Sequence, residues 1–90
     1  MNKPLIYADY QKTDDSGRLI LTCYGTIKDL EKHNIALGNG LALTFYMDDA
    51  DDFGNADNLL VDGIVEYDER ERRWVADVDW ATFRHALEHK

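Results

Sequence analysis

"LLVDGIVEYDERERRWVADVDWATFRHALEHK", residues 59–90, decides how this chain folds. Its first part is an apolar-rich stretch that ends at the polar "DERER". The chain then alternates cleanly, with Trp74, Ala76 and Val78 set against Arg73, Val75 and Asp77. A long strand, a polar turn and a period of two predict an antiparallel hairpin of residues 59–68 with 73–78. Gly63, inside the first strand, predicts a bulge or sharp bend. Beyond Val78 the period changes. Asp79 suits a helix N-cap, and Trp80, Phe83 and Leu87 fall on one helical stripe, so residues 79–90 are expected to form a C-terminal helix packed on the sheet.

Working back toward the N-terminus, "LALTFYM" places Leu41, Leu43, Phe45 and Met47 on one face of a strand over 41–47. Asn39-Gly40 before it reads as a type I′ turn. "GTIKDLEKHN" has helical spacing. Thr26 and Asp29 form a capping-box pair, Ile27 and Leu30 share the apolar face, and Asn34 suits a left-handed end. Strands over 5–11 and 18–24 flank the turn-forming "TDDSGR" and are expected to pair as a hairpin. The order is β-β-α-β-β-β-α in one domain spanning residues 1–90. The fold class is α+β but mainly β: a five-stranded, strongly curved antiparallel sheet or partly open SH3-like barrel, closed by the C-terminal helix.

Composition narrows the function. A formal net charge of −8 on 90 residues disfavours nucleic acid and anionic membrane surfaces as partners and permits a basic protein. Cys23 is the only cysteine, which excludes an internal disulfide and a cysteine-based zinc site. Its place beside Leu19 and Leu21 in the alternation predicts a small buried side chain. The opening "MNKPLIYADY" enters a strand pattern directly, and no run approaches the roughly 20 apolar residues of a membrane span. A cytoplasmic location is expected, as a monomer or a weak homodimer paired through an open sheet edge.

The acidic stretch "MDDADDFGNADN" resembles a calcium loop at first sight. With Asp49 in the first position, Asp51 is third, Gly54 sixth, Asn55 seventh and Asp57 ninth. Phe53 then occupies the fifth position and Leu60 the twelfth, where the bidentate glutamate belongs. Asp49, Asp51 and Asn55 are therefore only weak metal candidates, and no cofactor is implied. As a docking loop the same stretch offers Asp48, Asp49, Asp51, Asp52 and Asp57 to a basic partner, with Phe53 as an aromatic anchor.

Other chemistry finds little support. "HALEH" matches an inverted zinc-peptidase pattern through His85, Glu88 and His89, but the chain is too short for such an enzyme. Cys23 and His33 would form a nucleophile pair only if the fold brought them together. Arg70, Arg72 and Arg73 alternate with Glu69 and Glu71, which reads as hairpin solubility with cross-strand ion pairs. No Gly-rich phosphate loop is present, and the balance leans away from an enzyme.

From "YADYQKTDDSGRLILT" to "GLALTFYMDDADDFGNADNLLVDGIVEYDERERRWVADVDW", the chain resembles a family of small acidic uncharacterised bacterial proteins. The resemblance implies a compact cytoplasmic domain and supplies no activity, so no functional residue carries over from it. The expected function is a small acidic non-enzymatic interaction domain that binds a basic partner through the 48–58 loop. The alternative is a ligand- or divalent-metal-binding domain.

Overall fold

The computed structural model describes residues 4–50 and 56–85. Five strands and one helix follow in the order β1 (Leu5–Tyr7), β2 (Leu19–Ile20), α1 (Tyr24–Lys32), β3 (Ala42–Ala50), β4 (Ala56–Asp68) and β5 (Arg73–His85). They build one mixed sheet in the spatial order β1-β3-β4-β5-β2, curled into a half-barrel. Its inner face carries the core, where Ile6, Leu19, Phe45, Val61 and Val65 are fully buried and Leu21, Leu30, Leu43 and Val78 nearly so.

The expected hairpin of β4 with β5 forms, pairing Asp68 with Arg73, Tyr67 with Trp74 and Ile64 with Asp77. Gly63 stays in regular pairing with Leu43 and Val78 and makes no bulge of its own. Its role is close approach. A Cβ there would sit 2.8 Å from Val78 Cγ1 and 3.3 Å from the Phe45 ring, so the curl depends on an absent side chain.

The expected C-terminal helix does not form over the described residues, because β5 continues as strand to His85. The helix signals are real but serve a bulge. Asp79 accepts the Ala81 amide at 3.0 Å, as an N-cap would, and the Thr82 hydroxyl donates to the Asp79 carbonyl at 2.6 Å. The chain then resumes pairing, Leu60 with Arg84 and Leu59 with His85. Val61 of β4 thus faces four residues of β5, Trp80 to Phe83. This compression brings Trp80 and Phe83, three apart, to the same ring: their centroids lie 5.8 and 6.4 Å from that of Tyr10. Residues 86–90, with Leu87, Glu88 and His89, lie outside the described residues.

The expected N-terminal hairpin is also replaced. β1 pairs in parallel with β3, Ile6 opposite Phe45, while β2 pairs with β5 at the far edge, Leu19 opposite Ala76. The sheet is therefore mixed rather than antiparallel. "TDDSGR" still turns the chain, but β2's partner across that turn is Lys12 to Asp14. Ile20 N–H donates to the Lys12 carbonyl and Asp14 N–H to the Arg18 carbonyl, each at 2.9 Å. Between the two edges Tyr10 enters the inner face, its hydroxyl 2.7 Å from the Leu59 carbonyl and 3.0 Å from that of Phe45. Burial raises the Tyr10 phenol above its ordinary value, against a smaller downward pull from Arg84.

Thr26 and Asp29 do not cap α1, which begins two residues before Thr26 with Cys23 as its uncapped N-cap. Their spacing of three places both on one helix face, and that face grips β1. Thr26 Oγ1 donates to the Tyr7 carbonyl at 2.6 Å, and Tyr7 N–H donates to Asp29 Oδ2 at 2.9 Å. Thr26 and Leu30 are buried, whereas Ile27 is 44% exposed, so the buried face is not the expected Ile27–Leu30 pair. Gly25 lets the helix approach, since a Cβ there would meet the Tyr7 ring at 2.7 Å.

The helix end is as expected. Asn34 has φ +55°, Asn34 N–H donates to the Glu31 carbonyl and Ile35 N–H to the Leu30 carbonyl, a Schellman arrangement. The Asn39-Gly40 turn leads into β3, but only Gly40 has positive φ, which makes it type II in form rather than I′.

Thr26→Val keeps the shape of that side chain and removes the bond to Tyr7. Urea unfolding should show a loss of about 1–3 kcal/mol, as a buried carbonyl loses its donor, whereas Thr22→Val, at an exposed position, should change stability by less than about 0.5 kcal/mol.

Candidate functional site

The docking loop expected over 48–58 is shorter than the sequence suggests. β3 and β4 pair outward through Asp48 opposite Asn58, Asp49 opposite Asp57 and Ala50 opposite Ala56. Asp51, Asp52, Phe53 and Asn55 lie outside the described residues. Of the metal candidates only Asp49 is described, as a strand residue. Among the described residues no group of three or more His, Cys, Asp or Glu side chains could hold a metal ion.

A hollow of about 650 Å³ lies between the end of α1 and the outer part of β3, lined by Leu5, Asp29, Lys32, His33, Tyr46 and Asp48. Its groups are largely engaged in holding the fold. Asp29 accepts the Tyr7 amide, and the Tyr7 and Tyr46 rings meet edge to face with centroids 5.7 Å apart. The Tyr46 phenol is raised by burial first, then by the charge of Asp29 and a hydrogen bond to it. Cys23 and His33 cannot act together: they cap opposite ends of α1, about 15 Å apart at 1.5 Å per residue. Cys23 is half-buried, less enclosed than the alternation implied. His85 is the last residue of β5, and Glu88 and His89 of the zinc-peptidase pattern lie outside the described residues.

A different constellation lies on the outer face of the sheet. The register sets Thr44, Asp62 and Asp79 in one cross-strand row and Ala42, Ile64 and Asp77 in the next. These side chains share a face because strand residues two apart point the same way. They enclose a shallow groove of about 280 Å³. Ile64, on the middle strand, is 47% exposed there. Asp62 accepts the Thr44 hydroxyl at 2.8 Å and Arg84 Nη2 at 3.2 Å, and its amide donates to Thr82 Oγ1 at 2.9 Å. The bulge is what brings Thr82 and Arg84 to Asp62. Asp77 and Asp79 make no ion pair among the described residues.

Sequence reading missed this face because it followed the acidic run and passed over single aspartates within strands. A signal was present. Once "DERER" is read as the turn and Asp68 is placed opposite Arg73, Ile64 falls opposite Asp77 and Asp62 opposite Asp79.

The cations of "DERERRW" make no cross-strand pairs among the described residues. Asp68 instead accepts the Arg70 and Glu71 amides and pairs with Arg18. Arg18 gathers three carboxylates, Asp14 at 2.7 Å, Glu66 at 2.7 Å and Asp68 at 3.3 Å, tying the turn before β2 to β4. Burial alone would raise the Asp14 carboxyl. Hydrogen bonds from the Arg18 and Ser16 amides and from the Arg18 guanidinium outweigh it, and the net direction is downward.

No protein-family model, curated protein or solved structure matches this chain. No described helix is long and apolar enough to cross a membrane.

The depressed Asp14 carboxyl fixes the sign of an acid effect. Its contribution is complete above the unfolded value of 3.8 and disappears as pH falls through the lower folded value. Asp14→Asn should therefore be less stable than wild type at pH 7. The gap should narrow as pH falls below 3.8 in urea titrations; a gap that stays constant would mean the carboxylate charge contributes nothing.

Proposed function

We propose that this protein is a small non-enzymatic interaction domain that engages a basic protein partner through the acidic outer part of the β3–β4 hairpin. One observation carries the reading. Among the described residues, β1 flanks β3 only as far as Tyr46, and β5 flanks β4 only from Leu59. Beyond those points the described pairing is that of β3 with β4 only, a two-stranded arm bearing Asp48, Asp49 and Asp57.

Directly opposed like charges such as Asp49 and Asp57 weaken a strand pair. A stable hairpin end would gain from losing them, whereas an end that meets a cationic surface gains from keeping them. The excess of 18 acidic over 10 basic residues extends the same field over the whole molecule. Steering by such a field speeds encounter with a basic partner and fades as salt screens it. Asp51, Asp52 and Phe53, between the two strands in sequence, belong to the same proposed surface.

The test is fluorescence anisotropy with a labelled lysine-rich peptide at low and high salt. Wild type should bind, and its affinity should fall several-fold as salt rises. Replacing Asp48, Asp49, Asp51, Asp52 and Asp57 together by Asn should remove most of the low-salt binding. Equal binding by that variant, or binding indifferent to salt, would overturn the proposal.

A further inference from the structure

We infer that the outer face of β3–β4–β5 is a docking surface for an arginine side chain of a basic protein segment, its stem lying on Ile64 and its guanidinium reaching Asp77 and Asp79. This rests on the acidic-interaction reading and adds a second contact surface to it, away from the hairpin arm.

Three observations combine. The first is an apolar floor in an unusual place. Ile64 lies on the middle strand of the sheet, directly opposite Ala42 on one side and Asp77 on the other, yet it is 47% exposed. The groove around it, about 280 Å³, has room for one long side chain.

The second is uncompensated like charge. Asp62 and Asp79 face each other across the ladder, and Asp77 is one row away on the same face. Opposed like charges on a sheet are destabilising. Arg84 reaches Asp62 at 3.2 Å, but no described cation pairs with Asp77 or Asp79. The free protein thus keeps a repulsion that an incoming cation would relieve.

The third is geometry. The Asp79 carboxylate is held by the Ala81 amide at 3.0 Å, so one end of the acidic rim is positioned before any ligand arrives. Charge complementarity selects a cation, and the apolar floor selects a long aliphatic stem. A planar fork of donors that can meet two carboxylates at once favours arginine over lysine.

Asp77→Asn and Asp79→Asn separate this role from a structural one. Asn keeps the shape of both side chains and can still accept the Ala81 amide. Each variant should raise the melting temperature by about 1–4 °C through relief of repulsion. Each should also weaken binding of a capped tetra-arginine peptide by about two- to fivefold. Ile64→Thr, which retains a β-branched side chain, should weaken binding of the same peptide and should favour arginine over a short-stemmed cationic analogue less than wild type does.

In a titration of isotopically labelled protein, amide shifts should concentrate at Ala42, Ile64, Asp77 and Asp79. They should persist when the arm carries the Asn substitutions. Shifts confined to residues 48–58, or a lowered melting temperature in both Asp variants, would overturn this inference and leave the arm proposal standing. No saturable shift anywhere would overturn both.

Discussion

The architecture depends on one grip: α1 holding both backbone polar groups of Tyr7. β1 is only three residues long and lies at the edge of the sheet, where half of its backbone groups face away from β3. Unpaired groups at a sheet edge are costly when buried and adhesive when exposed. Thr26 and Asp29 satisfy the Tyr7 carbonyl and amide from one helix face, and Gly25 lets the ring and helix touch. With that edge closed, a strand too short to hold itself is fixed beside β3. Leu30 follows from the same helix face into the core. The opposite edge is handled in the same economical way, with Lys12 and Asp14 pairing along β2 and Arg18 binding the turn to β4.

That constraint explains which parts of the fold were legible. The β4–β5 pair is joined by the short turn after Asp68, and β5 alternates cleanly as far as Val78, so its signal is local. Asn34 ends its helix for a reason contained between Leu30 and Ile35. The parallel pairing of β1 with β3 depends on a contact 22 residues away in sequence, Asp29 to Tyr7, and nothing near β1 announces it. The T-x-x-D spacing was visible but has two physical meanings. It can satisfy a helix's own first amides, or it can present an oxygen acceptor and a hydroxyl donor to a neighbouring strand. Local pattern cannot choose between them.

The terminal reading failed in a related way. Asp79 accepts an amide two residues on whether a helix or an Asx turn follows, and the stripe Trp80–Phe83 appears helical because a bulge also brings residues three apart to one side. The deciding term lies elsewhere, in Leu59 and Leu60, which offer a ladder that residues 84 and 85 complete. Tertiary pairing overrode local propensity, and the bulge is where the two met. The acidic run was legible as charge but misleading as architecture, since Met47 to Ala50 and Ala56 to Asn58 belong to strands.

The bulge also connects fold to function. It adds residues to β5 without adding them to β4, and so carries Thr82 and Arg84 to Asp62. A sheet that tolerates Asp62, Asp77 and Asp79 on one exposed face needs some compensation, and the bulge supplies it for Asp62 alone. Two carboxylates remain beside a half-exposed isoleucine. In a protein with few residues to spare, the cheapest cure would be neutral side chains at those positions, which strand geometry accepts readily. On the proposed reading their presence trades stability for recognition, as the opposed aspartates of the hairpin arm do. Arm and face carry the same sign of charge, so a single basic partner could be steered by one and seated on the other.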